Sequence, residues 1–380
     1  MLEGIRIIEV EGLGPAPFAS MLLADLGADV IVVHRPVSGT GGDESASTKR
    51  SHPSDLSKKP AATLSKPVLD RGKRSITLNL KDADDVEIFK QLVDSADALI
   101  EGFRPGVMER LGLGPSVCMA TNKRLVYGRM TGWGQDGSKC SMAGHDLNYV
   151  GLSGAAWHAA NDGRAPFPPP TLVGDIGGGA MYLVVGILSG LLNAQKTGKG
   201  TVVDAAIVDG SAHMMNLLMS LQQGGESSAK LGTGLLECSH FSRCYLTGDD
   251  NYVSVQCLEP AFYAVFLDKL GLSDNTDFQN QYDQSRWPEL ITRLESLFAT
   301  RSRAEWELLF ADSDACVAPV LHPDEALTHE ANQHRQVWMK HQGVMQSSPA
   351  PRFSTGKSWT PVNSPVRDEH RQAILDELMD

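Results

Sequence analysis

Ile5-Arg6-Ile7-Ile8-Glu9-Val10-Glu11-Gly12-Leu13-Gly14-Pro15-Ala16-Pro17-Phe18, read on to residues 29–33, decides the fold. Ile5, Ile7, Ile8 and Val10 make a strand over 5–10. The glycines at 12 and 14 make a turn, and Pro15 and Pro17 suit the first turn of a helix. Residues 18–26 carry helical apolar spacing, and 29–33 form a second strand that ends in His34-Arg35-Pro36. Strand, glycine turn, helix and strand in this order specify a parallel α/β sheet.

The alternation continues outward. Strands are predicted over 75–80, 98–101 and 125–131, and helices over 82–94 and 104–111. Residues 37–70 interrupt the pattern. They are rich in Ser, Thr, Lys and Pro and read as a long loop or insertion. A Gly-rich apolar helix over 176–192, a strand over 200–208 and a Met-rich helix over 211–223 follow. Short strands at 241–246 and 252–255, then helices, indicate a second, α+β domain. The expected division is a large domain over 1–195, to which 326–380 return, a helical linker over 196–230, and a small domain over 231–325. The tail is polar and helical only near 368–379.

A chain of 380 residues buries a sizeable core without disulfides. Its net charge of −12 argues against a nucleic-acid partner, which needs a basic footprint. Cys118, Cys140, Cys238, Cys244, Cys257 and Cys316 form no CxxC pair and match no zinc spacing, so no metal is expected and the thiols read as reduced. Residues 176–192 are uncharged and reach the lower length of a membrane span. Their glycines favour a closely packed buried helix, and no membrane span is expected. No signal peptide opens the chain and no peroxisomal tripeptide ends it, so an intracellular setting, cytoplasmic or mitochondrial, is expected.

Three segments carry candidate chemistry. In Ala143-Gly144-His145-Asp146-Leu147-Asn148-Tyr149, a His at a helix N-terminus would lie beside free N–H groups that favour a developing anion. In Gly174-Asp175-Ile176-Gly177-Gly178-Gly179, Asp175 reads either as an N-cap or as a catalytic acid, and the glycines would let a bulky ligand approach the backbone. In Cys257-Leu258-Glu259-Pro260, Glu259 either caps a helix or orients a histidine. Arg35 stands where an acid would bind a ribose diol, so it is a surface residue or a sugar-phosphate contact. The prolines of the first turn argue against a dinucleotide site. Arg71-Gly72-Lys73-Arg74, with Arg35, Lys81 and Arg104, would make a local positive pocket for phosphates.

These blocks resemble the family III coenzyme A transferases, and most closely their racemase branch, the alpha-methylacyl-CoA racemases. The resemblance covers about residues 2–325. It rests on Gly12 to Phe18, Leu23-Ala24-Asp25-Leu26-Gly27-Ala28, Arg35-Pro36, Arg71 to Ser75, Phe103-Arg104-Pro105-Gly106, Ala143 to Asp146, Asp175 to Gly179, Leu258-Glu259-Pro260 and Asp314-Ala315-Cys316-Val317. It implies a Rossmann-like large domain that binds coenzyme A, a smaller α+β domain, and an interlocked homodimer. It implies His145 and Asp175 as the acid/base pair and Glu259 as the carboxylate partner of the histidine. It implies coenzyme A contacts at Arg35, Leu78, Asn79, Leu80, Lys81, Arg104 and Gly144 to Tyr149, that is Gly144, His145, Asp146, Leu147, Asn148 and Tyr149. Transferase members commonly carry an aromatic residue where His145 stands. The chain departs from the family in its longer 37–70 stretch and in Cys238-Ser239-His240-Phe241-Ser242, where the acyl pocket's shape is in question.

The chemistry expected is epimerisation of a 2-methylacyl-CoA thioester, in branched-chain fatty acid or sterol side-chain metabolism. One group removes the C2 proton and the other returns one to the opposite face. The N–H at Asp146 would stabilise the enolate oxygen. No cofactor is expected, because coenzyme A is part of the substrate. Met181, Met214, Met215 and Met219 offer either a soft surface for an acyl chain or ordinary core filling. The alternative is a coenzyme A transferase in which Asp175 is the nucleophile.

Overall fold

A computed structural model describes residues 1–36, 68–159, 164–225, 227–228, 230, 233–355, 360 and 362–379. It divides into two units, one of Met1–Ser153, Pro169–Met214 and Lys340–Asp380, the other of Gly154–Pro168 and Met215–Met339.

The first unit runs β1 (Arg6–Val10), α1 (Pro15–Asp25), β2 (Asp29–His34), β3 (Arg74–Thr77), α2 (Ala83–Asp94), β4 (Ala98–Glu101), α3 (Val107–Arg110), α4 (Pro115–Thr121), β5 (Val126–Thr131), α5 (Asp146–Ser153), α6 (Met181–Thr197), β6 (Thr201–Ala206) and α7 (Ile207–Met214). Its sheet has the order β3-β2-β1-β4-β5-β6, and the ladders between neighbours are parallel. This is the doubly wound α/β fold that the opening segment predicts. Strand order reverses between β1 and β4, and ligands of such sheets bind outside the C-terminal strand ends at that crevice. The central strands β2 and β4, which read DVIVVH and ALIE, are nearly continuous apolar runs because both faces are covered. On one face Leu23, Ile100, Leu183 and Ile187 pack together, and on the other Ile31, Phe89, Leu99 and Ile374 do so.

Of the insertion predicted over 37–70, residues 37–67 lie outside the described residues. The predicted membrane-length segment is one helical run, Leu172–Thr197, long and apolar enough by composition to cross a bilayer. In the fold Leu183, Val184, Ile187 and Leu191 bury one side of it in the sheet core. Gly128 and Gly190 make that packing possible. A Cβ on Gly128 would lie 2.8 Å from Ile187 Cδ1, and one on Gly190 2.6 Å from Val126 Cγ1.

The tail returns to the first unit along the edge of the sheet. Thr77 donates its N–H to Asp368 at 2.6 Å, and His370 donates its N–H to the Ser75 carbonyl at 3.0 Å. The exposed edge of β3 is thereby covered, which removes an aggregation-prone ladder.

The second unit contains α8 (Asn216–Gln223), α9 (Leu235–Cys238), β7 (Ser242–Leu246), β8 (Tyr252–Gln256), α10 (Pro260–Lys269), α11 (Trp287–Phe298), α12 (Arg303–Phe310) and β9 (Val317–Val320). β7, β8 and β9 form an antiparallel sheet in that order. Its core is aromatic: Phe241, Tyr245, Tyr263, Phe266, Trp287, Phe298 and Trp306 are buried. His240, in the stretch that departs from the family pattern, belongs to this core. It is fully buried, shares a hydrogen bond of 2.7 Å with the Tyr263 hydroxyl, and packs edge-on against Phe241. Burial holds its imidazole down at about 4. The single Met-rich helix predicted over 211–223 is two helices, α7 and α8, one in each unit.

Candidate active site

The turn after β1 sits at the strand-order reversal. Gly14 is the N-cap of α1 with φ 67°, and Pro15 takes the first helical position. No residue with a Cβ adopts that φ comfortably. A Cβ there would also lie 3.6 Å from Asp175 Oδ2, so the Asp175 carboxyl hangs over this turn. The segment that carries it, Leu172–Ala180, is a wide π-helical run in which Ile176 N–H reaches back to the Thr171 carbonyl at 3.0 Å. Such bulged turns recur at functional positions.

His145 immediately precedes α5 and is exposed. Its N–H donates to Asn148 Oδ1 at 3.0 Å and its carbonyl accepts from the Asn148 N–H at 2.8 Å, so Asn148 fixes the helix start. Tyr149 fixes the approach to it. Its hydroxyl donates to the Gly144 carbonyl, and its ring stands edge-on to Trp133 at 4.6 Å. A Cβ on Gly144 would lie 2.7 Å from Tyr149 Cε1, which accounts for that glycine.

The electrostatics link these groups. Burial pushes the Asp175 carboxyl up to about 6, the negative charge of Asp146 pushes the same way, and His145 pulls it down. The Tyr149 hydroxyl is raised by burial and by Asp175, and is lowered by Arg104. Asp175 therefore lies within electrostatic reach of His145, Asp146 and Tyr149, and Tyr149 within reach of Arg104.

The structure corrects two local expectations. Asp175 is not an N-cap. The helical run begins at Leu172, and the carboxylate that caps it is that of Asp146, which accepts the Asp175 N–H at 2.9 Å and the Thr171 N–H at 3.2 Å. Nor do the glycines at 177–179 admit a ligand. A Cβ on Gly178 would lie 2.4 Å from Ser211 Oγ, one on Gly179 2.9 Å from Ile207 Cγ1, and one on Gly177 3.2 Å from Met214 Cε. They admit α7, whose own Gly210 meets the Gly178 carbonyl.

Arg35 and the run from Leu78 to Lys81 lie together, since β2 and β3 end side by side with His34 opposite Thr77. The Arg35 N–H donates to Glu11 at 3.0 Å and its carbonyl accepts from Arg367 at 2.7 Å, while its side chain is 64% exposed. Leu78 is buried in the sheet core and Leu80 packs at its edge, so these two offer backbone only. Asn79 donates its N–H to Asp85 at 2.8 Å and accepts that of Lys81 at 3.2 Å. Asn79, Lys81, Arg104 and Leu147 are exposed.

The second basic cluster is a different matter. Arg71 is buried against Asp25, Gln346 and the Ser347 carbonyl. Lys73 is buried against Glu9 at 2.5 Å and the Pro17 carbonyl at 3.2 Å. Arg74 bridges Asp29 and Glu377. These three charges hold the fold together and do not join a phosphate pocket.

Glu259 lies in the second unit. It is exposed at the N-cap position of α10, where its carbonyl accepts the Tyr263 N–H and its side chain makes no capping bond. Met181 and Met214 are 40% and 39% exposed in the first unit. Among the described residues, no cluster of three or more His, Cys, Asp or Glu side chains is arranged to hold a metal.

Sequence reading missed the Glu101–Arg129–Glu109 network. Arg129 binds Glu101 at 3.1 Å and Glu109 at 2.8 Å, and Glu101 accepts the Phe103 N–H at 2.7 Å. It braces the loop that presents Arg104. Charged residues within predicted apolar strands, as in Glu101 and Arg129, are the signal for it.

Comparison with known proteins identifies the family. The model of CoA-transferase family III matches residues 2–371. An alpha-methylacyl-CoA racemase of Mus musculus is 36% identical over 99% of this chain and 93% of its own length. An acetyl-CoA:oxalate CoA-transferase of Acetobacter aceti is 30% identical over 90% of this chain and 86% of its own. The crystal structure of a CAIB/BAIF family protein from Brucella suis superposes with a TM-score of 0.80 at 25% identity, covering 99% of both chains. The family thus includes racemases and transferases that act on CoA thioesters, and this chain belongs to CoA-transferase family III.

Proposed function

We propose that the protein is an alpha-methylacyl-CoA racemase that interconverts (2R)- and (2S)-2-methylacyl-CoA thioesters. The observation that carries this reading is that Asp146, the neighbour of His145, holds the Asp175 N–H at 2.9 Å, so that an imidazole and a carboxyl are presented from adjoining segments, and burial pushes that carboxyl up to about 6. A carboxyl so poised holds or yields a proton near neutrality, which suits a group that must do both. A nucleophilic carboxylate has no need of a base beside it.

Neutral His145 takes the C2 proton from one face while protonated Asp175 delivers one to the other. For the opposite epimer the roles reverse. The thioester oxygen gains charge in the enolate. The Asp146 N–H, at the first position of α5 and without an intrahelical acceptor there, stabilises it. Glu259 stabilises the imidazolium form of His145, supplied across an interlocked homodimer. Arg35, Lys81 and Arg104 hold coenzyme A phosphates, with the backbone of 78–81 and 144–149 along its length. Met181 and Met214 give the acyl chain a soft apolar surface. The place of such a reaction is branched-chain lipid breakdown.

The test is a chiral 2-methylacyl-CoA incubated with the protein in deuterium oxide, with label and configuration followed together. Deuterium enters C2 as configuration is lost. Transfer of coenzyme A to a free carboxylate without C2 exchange would overturn the reading in favour of a transferase with Asp175 as nucleophile.

A further inference from the structure

The epimerisation proposed above, on which this inference rests, uses only the N–H of Asp146 and leaves its side chain without a task. That side chain is half-buried at the start of α5, and both of its oxygens are engaged by the π-helical segment. Oδ1 accepts the Asp175 N–H at 2.9 Å and Oδ2 accepts the Thr171 N–H at 3.2 Å. The opening turn of any helix leaves its N–H groups without intrahelical acceptors, and here a neighbouring helix supplies one. Gly174 is what permits it, since a Cβ at that position would stand 2.3 Å from Asp146 Oδ1. Thr171 is held at φ 61°, a conformation that a β-branched residue keeps only under constraint.

We infer that the Asp146 side chain is a positioning residue: it fastens the segment that presents Asp175 and sets a fixed negative charge beside the Asp175 carboxyl. The tie fixes where the acid stands over the Gly14 turn. The charge disfavours a second carboxylate and so keeps the proton on Asp175 when His145 is the base. One residue then serves both halves of the pair, with its N–H toward the enolate and its carboxylate toward the acid.

The other groups around Asp175 leave this role to Asp146. On α5, His145 acts in the opposite sense, and Tyr149 has its hydroxyl committed to Gly144. On α7, His213 is bonded to the Tyr182 hydroxyl at 2.7 Å, and Asp209 acts on Asp204. Asp204 on β6 accepts the Gln135 N–H, Arg129 on β5 is paired with Glu101 and Glu109, and Asp25 on α1 is paired with Arg71. Lys196 lies in the last turn of α6, far along the helix from this end.

The experiment uses the full chain labelled with carboxyl-13C aspartate, native and as Asp146→Asn and Asp146→Ala. NMR titration follows Asp175, and amide hydrogen exchange follows Thr171 and Asp175. Asp146→Asn removes the charge and keeps one of the two acceptors, with its NH2 group against the other N–H, and the Asp175 midpoint falls by about one pH unit from the native value. Asp146→Ala removes both acceptors, and protection of the two amides falls by about tenfold. In the active enzyme the limb of the C2-exchange profile set by Asp175 moves to lower pH in Asp146→Asn, the alkaline limb for the epimer on which Asp175 is the acid and the acid limb for the other, a change that a merely structural residue would not produce. An unchanged Asp175 midpoint in Asp146→Asn overturns the proposal, and this variant decides the matter even if Asp146→Ala fails to fold. The titration does not depend on turnover, so a native protein without C2 exchange would sink the racemase reading while the NMR result still judged the tether.

Discussion

Two basic regions of the first unit look alike in sequence and behave oppositely in the fold. Arg71, Lys73 and Arg74 lie just before β3 and at its first residue, with their charges matched by Asp25, Glu9, Asp29 and Glu377. Arg35, Lys81 and Arg104 lie past the C-terminal ends of β2, β3 and β4 and extend to solvent. The denser cluster is the structural one. Basic residues mark a ligand site where folding leaves their charges exposed: Arg35, though 3.6 Å from Glu11, keeps 64% of its side chain in solvent. The partners that settle this are distant in the chain: Asp25 is 46 residues from Arg71, and Glu377 is 303 from Arg74.

The same contrast separates carboxylates. Glu9 and Asp25 are buried against cations, whereas Asp175 is half-buried beside another acid. Paired groups answer to stability and unpaired ones to chemistry. The sharpest way to break the comparison is to remove the proposed acid/base pair. His145→Ala and Asp175→Ala each slow C2 hydrogen exchange by about 10²–10⁴-fold, read by NMR in deuterium oxide, while urea midpoints stay close to native. A large loss of stability in both would move them to the structural class.

Lys73→Ala tests the opposite class. It takes the Lys73 charge away from buried Glu9 and lowers unfolding free energy by about 3–5 kcal/mol in urea titration. Replacing Glu9 and Lys73 together with apolar residues of similar size restores much of that loss.

A subtler effect is expected at Asp175 itself. Its carboxyl titrates at about 6 in the fold against an ordinary value of 3.8. The folded state therefore holds this proton more tightly than the unfolded chain. The stability that the group contributes is complete below about 3.8 and is lost as pH rises through about 6. Asp175→Asn escapes that loss. Its melting temperature relative to native should be higher at pH 7.5 than at pH 4, and a pH-independent difference would contradict the raised value.

The smallest expected effect is at the rim. Arg35→Ala weakens binding of coenzyme A by about fivefold at low salt and by less at high salt, as suits an exposed charge. Its stability stays within about 0.5 kcal/mol of native. Calorimetric titration at two salt concentrations checks both statements.

Much of the fold was legible because its signals are local. The β1 to β2 unit, the strands near 98–101 and 126–131 and the helix from 83 show their periodicity within a few turns of chain. α4 was missed, since only seven residues follow Gly114 before the chain turns again. β9 was missed because Pro319 interrupts a four-residue run. At the site, His145 and Asp175 stood out as polar residues among glycines. The function assigned to those glycines was mistaken, because a glycine that admits a helix and one that admits a ligand are written alike.

By itself the sequence determined the alternation of strands and helices, the turn at Gly14 and the residue types available for proton transfer, since each depends on neighbours a few positions away. Only the tertiary structure decided which charges are used up by folding, that Asp146 and not Asp175 caps the π-helical run, and that the Asp175 carboxyl stands beside both Asp146 and His145. Those outcomes depend on distance and desolvation between segments 29 to 303 residues apart, and Coulomb and hydrogen-bond energies are set by separation in space, not along the chain.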